Sequence, residues 1–231
     1  MKIALAQIQS VAGDVEANLR KHLTFIEQAA SAKASMIIFP ELSLTGYEPT
    51  LASELAFKME DPRLNIFQQL SDDYQMVIGV GVPTRQEAGV CISLLLFQPM
   101  AARRVYSKKY LHPDEDAYFV SGQNFANLLV NDRKVAFAIC YELSILEHTD
   151  EAMAQGAEIY LASVAKSASG VASAHQRLAT IARENTIPVL MVNNVGPADD
   201  FVGAGSSAVW NKQGELILQL DQEEGLLFAK L

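Results

Sequence analysis

Apolar runs and stretches of helical spacing alternate along the whole chain. Residues 2–8 are apolar except Lys2 and Gln7, which predicts a buried strand. Gly13-Asp14 supplies a turn and an N-cap, and residues 15–32 carry Leu19, Leu23 and Ile26 on one helical face. Met36-Ile-Ile-Phe39 reads as a short buried strand stopped by Pro40. A third strand is expected over 76–82, and 91–97 with 101–106 form a hairpin about Gln98-Pro99.

A polar loop spans 112–124. Beyond it the pattern predicts a strand over 134–139, a helix near 150–155, a strand over 158–162, a helix over 173–185 and a strand over 189–193. Three strand-like runs follow near 206–210, 216–220 and 225–230, the first two joined by Asn211-Lys-Gln-Gly214. No repeat, low-complexity linker or composition break divides the chain, so one domain over 1–231 is expected. Some strands are continuously apolar and others belong to hairpins. That favours a layered α/β fold with mixed sheets over a purely parallel one.

Of the 231 residues, 50% are apolar and 19% charged, and the net charge is −9. A chain of this length buries roughly 70–75% of its unfolded surface without needing a disulfide or metal. No Lys/Arg cluster interrupts the acidic excess, which argues against nucleic acid or an anionic membrane as partner. Two cysteines, Cys91 and Cys140, are too few for a disulfide framework and suit a reducing compartment. The first apolar run is too short for a signal peptide and lacks a small-residue cleavage site. No stretch approaches the roughly 18 apolar residues of a membrane span. A soluble, cytoplasmic protein is expected.

Three chemical groups fall at predicted strand ends. Glu41 follows Ile37-Ile-Phe-Pro40, and the carboxyl end of a buried strand is where α/β sheets place ligand chemistry. In isolation it also fits a solvated loop glutamate. Cys140 ends Val135-Ala-Phe-Ala-Ile139, where a thiol can face a pocket and the Tyr141 amide an oxyanion. The competing reading is a buried structural cysteine, and that is the reading for Cys91. Lys108 follows the strand over 101–106, where a surface lysine is the alternative. A base, a cation and a thiol together are what amide cleavage through a thioester requires.

The motifs around these residues resemble the nitrilase superfamily of carbon-nitrogen hydrolases over nearly the whole chain. The resemblance rests on Phe39-Pro-Glu-Leu-Ser-Leu-Thr-Gly-Tyr47, Tyr106-Ser-Lys108 and Ile139-Cys-Tyr-Glu142. Gly156-Ala-Glu-Ile-Tyr160, Ala182-Arg-Glu-Asn185 and Asn193-Asn-Val-Gly196 follow in the family's order. It implies a four-layer α-β-β-α sandwich, usually paired into homodimers. It also implies a catalytic glutamate at Glu41, lysine at Lys108, nucleophile at Cys140 and a second glutamate at Glu115. The implied reaction converts a small non-peptide amide to carboxylate and ammonia. Cys140 attacks, Lys108 and the Tyr141 amide stabilise the oxyanion, and Glu41 shuttles protons. Glu115 orients Lys108 or bonds the substrate. The scheme calls for no cofactor and no metal, and His22, His112, His148 and His175 show no ligand spacing. The lysine is expected to lower the thiol pKa.

Lys108 and Lys109 are adjacent, and neighbouring side chains on an extended segment face opposite ways. The family spacing counted from Tyr106 selects Lys108, with Tyr110 in place of the family's histidine. After the nucleophile the family often reads Cys-Tyr-Asp-x-Arg-Phe-Pro-Glu, whereas this chain reads Cys140-Tyr-Glu-Leu-Ser-Ile-Leu-Glu147. Where relatives grip a substrate carboxylate with that arginine, Ser144 has no guanidinium fork. Lys166, in Ser163-Val-Ala-Lys-Ser-Ala-Ser-Gly170, is the candidate replacement, and Glu142 and His175 are further substrate-binding candidates. The sequence ends at Leu231, so a C-terminal arm crossing to a dimer partner is not expected. Two other readings remain. One is a cysteine hydrolase with His112 or His175 as base, although Ala138-Ile-Cys-Tyr-Glu142 lacks the Gly-x-Cys-x-Gly elbow of such amidotransferases. The other is a catalytically idle member that binds a protein or metabolite.

Overall fold

Side-chain size alternates along the apolar strands, and this alternation sets the layers. In the computed structural model, which describes residues 1–124 and 127–231, β1 (Lys2–Gln7) turns Ile3 and Leu5 to one side and Ala4 and Ala6 to the other. β7 (Arg133–Ile139) likewise separates Val135, Phe137 and Ile139 from Ala136 and Ala138. Both faces are buried, so the strands read as continuous apolar runs. The large side chains meet between two sheets, and the small ones leave room for helices outside.

The first sheet has the order β14 (Gly225–Lys230), β1, β2 (Met36–Ile38), β3 (Val77–Gln86), β4 (Gly89–Phe97), β5 (Arg104–Ser107). The second runs β13 (Leu216–Gln219), β12 (Ala208–Trp210), β9 (Val189–Asn193), β8 (Ile159–Val164), β7, β6 (Asn127–Val130). Each is mixed: β1, β2 and β3 are parallel, as are β7, β8 and β9, and antiparallel strands flank both sets. A separate hairpin pairs β10 (Val195–Ala198) with β11 (Phe201–Ala204). Helices α1 (Val15–Ser31) and α3 (Asn65–Tyr74) cover the first sheet through Ile26, Ala29 and Phe67. α4 (Leu146–Ala154) and α5 (Ala168–Asn185) cover the second through Ala152, Leu178 and Ile181. Leu178 and Ile181 are fully buried, and each contributes about 1.5–3 kcal/mol. The result is the α-β-β-α sandwich that the resemblance implied. No helix among the described residues is long and apolar enough to cross a membrane.

Several boundaries differ from the sequence pattern. α4 begins at Leu146 and α5 at Ala168, earlier than expected, because exposed Leu146 and the weak formers Ser169 and Gly170 carry no apolar period. The pattern missed the four-residue α2 (Ala52–Leu55), and α3, which buries only Phe67 and Ser71. It also missed β6, a four-residue edge strand, and the hairpin of β10 and β11. β3 runs through Pro83 to Gln86, beyond the expected 76–82. β2 pairs with β3 only as far as Gly79, and the Pro83 carbonyl instead accepts the Phe57 amide at 2.9 Å. The missing N–H of Pro83 faces the same side, where no ladder partner needs it.

Candidate active site

Glu41 lies just beyond the carboxyl end of β2. Phe39 extends the ladder with one bond to the Gly79 carbonyl (2.9 Å), and Pro40 ends it. The turn then passes directly over β3. A Cβ on Gly81 would strike the Pro40 carbonyl, so only glycine lets the backbones come this close. Ser163 of β8 donates its hydroxyl to the Phe39 carbonyl at 2.9 Å, tying this turn to the opposite sheet.

Lys108 follows β5 and stays in register with β4, its amide bonding the Ile92 carbonyl at 2.8 Å. Its side chain is fully buried and its ammonium lies between two carboxylates, 2.9 Å from Glu41 Oε1 and 2.7 Å from Glu115 Oε1. Glu115 is itself held by the Tyr47 hydroxyl (2.9 Å) and the His112 amide (2.8 Å). Burial pulls the Lys108 pKa down, but the carboxylates of Glu41 and Glu115 outweigh it and push it above the ordinary lysine value. Burial also pushes the Glu41 carboxyl up, against the pull of Lys108. Glu41 Oε2 is buried and has no hydrogen-bond partner among the described residues, an exception to the usual satisfaction of buried polar atoms. Lys109 points the other way, toward Glu151 at 3.2 Å near the surface.

Cys140 directly follows β7 with φ +44°, in the left-handed region that residues with a Cβ disfavour. Such a conformation costs about 1–3 kcal/mol and persists where surrounding structure imposes it. A 3₁₀ turn over Cys140–Ser144 follows, and the amides of its first residues, Tyr141 included, have no acceptor within the turn. Among the described residues the thiol's one hydrogen-bond contact is a long one, 3.9 Å, to the Ala165 carbonyl. Cys140, Tyr141, Glu115, Tyr47, Lys166 and Phe201 are among the residues lining a cleft of about 270 Å³.

The thiol pKa corrects the sequence expectation. Burial pushes Cys140 up, and the Glu41 carboxylate adds to the rise, together outweighing Lys166 and Lys108. The cysteine therefore rests as a thiol near the Glu41 carboxyl and is not a preformed thiolate. Iodoacetamide is expected to label Cys140 in the folded protein at a rate still climbing above pH 8.5, while Cys91, fully buried in β4, stays unlabelled. Peptide mapping that finds Cys91 modified first overturns the assignment.

Two substrate-binding candidates lie elsewhere. Glu142 is completely buried behind Cys140, and both its oxygens are taken up by protein donors. His175 packs edge-on against Trp210 and its ring bonds the Ser206 carbonyl at 3.1 Å. Apolar neighbours on α5 and β12 claim that side chain, which spacing alone does not reveal. His112 lines the cleft, but its ring pairs with Asp114 and packs on Tyr141. Among the described residues no histidine ring hydrogen-bonds Cys140, which removes the support for a Cys-His pair. Nor is any group of three His, Cys, Asp or Glu side chains placed to hold a metal. Sequence reasoning passed over Tyr47, Ser163, Phe201 and Gly81. Gly81 left a signal, since a glycine within a strand, here one of two with Gly79, suggests a close backbone approach.

Comparison with known proteins places this geometry. The carbon-nitrogen hydrolase family pattern matches residues 2–231. The chain is 31% identical to a glutamine-dependent NAD(+) synthetase of Aquifex aeolicus across its full length, but spans only 42% of that protein. It is 28% identical to an (R)-stereoselective amidase of Pseudomonas sp., over 97% of this chain and 82% of the relative. The crystal structure of an amidase from Nesterenkonia sp. superposes with a TM-score of 0.91 at 26% identity, covering all of this chain and 90% of the other. On its sequence, its layered fold and its match over residues 2–231, the chain belongs to the carbon-nitrogen hydrolase family, within the amidase-like branch of the nitrilase superfamily.

Proposed function

We propose that the chain hydrolyses the carbon-nitrogen bond of a small linear amide through a Cys140 thioester. The observation that carries this reading is the division of labour on Glu41: Oε1 holds Lys108, while buried Oε2 has no partner among the described residues and is free to move protons. Cys140 Sγ bonds to the carbonyl carbon as Glu41 takes the thiol proton, so the raised thiol pKa is no obstacle. The Lys108 ammonium and the Tyr141 amide stabilise the oxyanion. Glu41 gives its proton to the nitrogen, the C–N bond breaks and ammonia leaves. Water then attacks the thioester and passes a proton to Glu41. The C–S bond breaks, and the sulfur recovers that proton. Glu115 keeps the lysine aimed throughout.

The relatives differ in the substrates their names suggest. A variant of the Nesterenkonia amidase is known in complex with neutral butyramide, whereas the NAD(+) synthetases depend on glutamine, an amide that carries a carboxylate. Lys166 favours an anionic amide here. It is half-buried in the cleft wall, and among the described residues its ammonium makes no ion pair or side-chain hydrogen bond. Ammonia release from butyramide, the monoamide of glutaric acid and its neutral diamide tests both points. Lys166→Met is expected to raise KM for the anionic monoamide about tenfold more than for the diamide, the effect of one charge-assisted hydrogen bond. Silence toward every amide sinks the hydrolase reading. Equal losses on both substrates leave hydrolysis standing and remove the carboxylate grip.

A further inference from the structure

Glu41 and Lys108 belong to the first sheet, and Cys140 to the second. Between the sheets lie Ile, Leu, Val and Phe side chains, whose burial is strong but non-directional. An apolar core by itself does not hold an ammonium and a thiol to within a few tenths of an ångström. Directional bonds across the gap are needed.

Glu142 supplies them. Its Oε1 accepts the amide of Lys109, the residue after the buried lysine, at 2.7 Å. Its Oε2 accepts the amide of Ile139, the residue before the nucleophile, at 2.9 Å, and the Tyr106 hydroxyl at 2.8 Å. One carboxylate therefore grips the backbone next to Lys108 in one sheet and next to Cys140 in the other. The chain continues behind it: Tyr106 meets His148 Nε2 at 2.7 Å, and His148 Nδ1 meets the Tyr160 hydroxyl at 3.1 Å. All of these side chains are buried. One proton assignment satisfies each step: Tyr160 donates to Nδ1, Nε2–H donates to Tyr106, and Tyr106 donates to Glu142.

We propose that Glu142 is a positioning residue, whose two oxygens set the placement of Lys108 relative to Cys140, with Tyr106 and His148 fixing the carboxylate from behind. The inference rests on the hydrolase reading above, because the quantity it controls is the fit of the lysine to the oxyanion. It differs from a general stabilising role in what it predicts. Both variants below keep Glu41, Lys108 and Cys140 and leave the cleft lining intact. The loss therefore falls on kcat per reactive thiol and not on KM.

The experiment measures kcat and KM on the amide that wild type cleaves best, with kcat normalised to Cys140 thiol counted by end-point titration, alongside thermal melting. In Glu142→Gln an amide NH₂ replaces one acceptor oxygen and faces a backbone or hydroxyl donor. This variant is expected to lose about 30-fold or more in normalised kcat with KM within threefold. Tyr106→Phe keeps both backbone bonds and is expected to lose about three- to tenfold in the same term. The double variant should be no worse than Glu142→Gln alone, since both act through one group. Normalised kcat within twofold of wild type in Glu142→Gln, whatever its melting temperature, overturns the proposal. Should that variant not fold, an unchanged normalised kcat in Tyr106→Phe overturns it equally. These results leave the hydrolase reading intact, whereas a wild type that cleaves no amide removes both.

Discussion

Glu41→Gln is expected to lower kcat by about 10²–10⁴, the span typical of a lost general acid–base, with little change in KM. The substitution keeps the shape and the buried position of the side chain. It removes the oxygen that has no partner among the described residues, which in the proposed scheme carries two protons, one from the thiol to the nitrogen and one from water to the sulfur. A second measurement separates this from damage to the fold. The Glu41 carboxylate is one of the groups holding the Cys140 thiol above its ordinary pKa, second only to burial. Removing that negative charge lowers the thiol pKa and increases the thiolate fraction at any given pH. Iodoacetamide should therefore label Cys140 in Glu41→Gln at least as fast as in wild type at pH 7, even as turnover collapses. Slower labelling together with slower turnover would mean that the thiol has moved, and would refute the assignment of Glu41 as the base.

Lys108→Met should reduce kcat by about 10²–10³, the loss seen when an oxyanion donor is removed. It should also destabilise the protein. Glu41 and Glu115 would remain buried without their shared cation, and breaking a buried pair by deleting one partner costs about 3–5 kcal/mol. The pH dependence of that deficit has a definite sign. Without Lys108, whose charge pulls it down, the folded-state pKa of Glu41 rises further above the unfolded value. A raised carboxylate pKa contributes stability that is present at low pH and lost as pH rises through the folded pKa. The melting-temperature gap between Lys108→Met and wild type should thus be narrower near pH 5 than near pH 8. Lys109→Met provides the contrast. Its ammonium lies near the surface, 3.2 Å from a half-exposed Glu151, where a pair is worth at most about 1 kcal/mol. Activity within twofold of wild type is expected. The opposite ranking of the two lysines would place the catalytic register one residue off.

Much of the architecture is legible in the amino-acid order, for local reasons. In β1 and β7 the alternation of alanine with large aliphatics states which side of each strand meets a helix and which meets another sheet, because strand side chains alternate with period two. Pro40 stops a strand and places Glu41 at its end, and on an extended segment only one of Lys108 and Lys109 can face the site; it is the family resemblance, counted from Tyr106, that implies Lys108. Short or weakly patterned elements escaped: four residues of β6 show too little period, and the first turn of α5 contains serine and glycine.

The tertiary structure decided what depends on neighbours remote in the chain. Glu142 and Cys140 are two residues apart, and nothing local distinguishes a substrate ligand from a buried clamp. The amide of Lys109 and the hydroxyl of Tyr106, more than thirty residues away, make the difference. His175 lost its expected role to Trp210 and the Ser206 carbonyl. The Cys140 pKa moved up instead of down because Glu41 and burial together outweigh the two lysines. Proton affinity sums the desolvation and charge of everything within a few ångströms. Period, turns and strand ends are written residue by residue, whereas which side chains share that small volume is settled only when the two sheets pack.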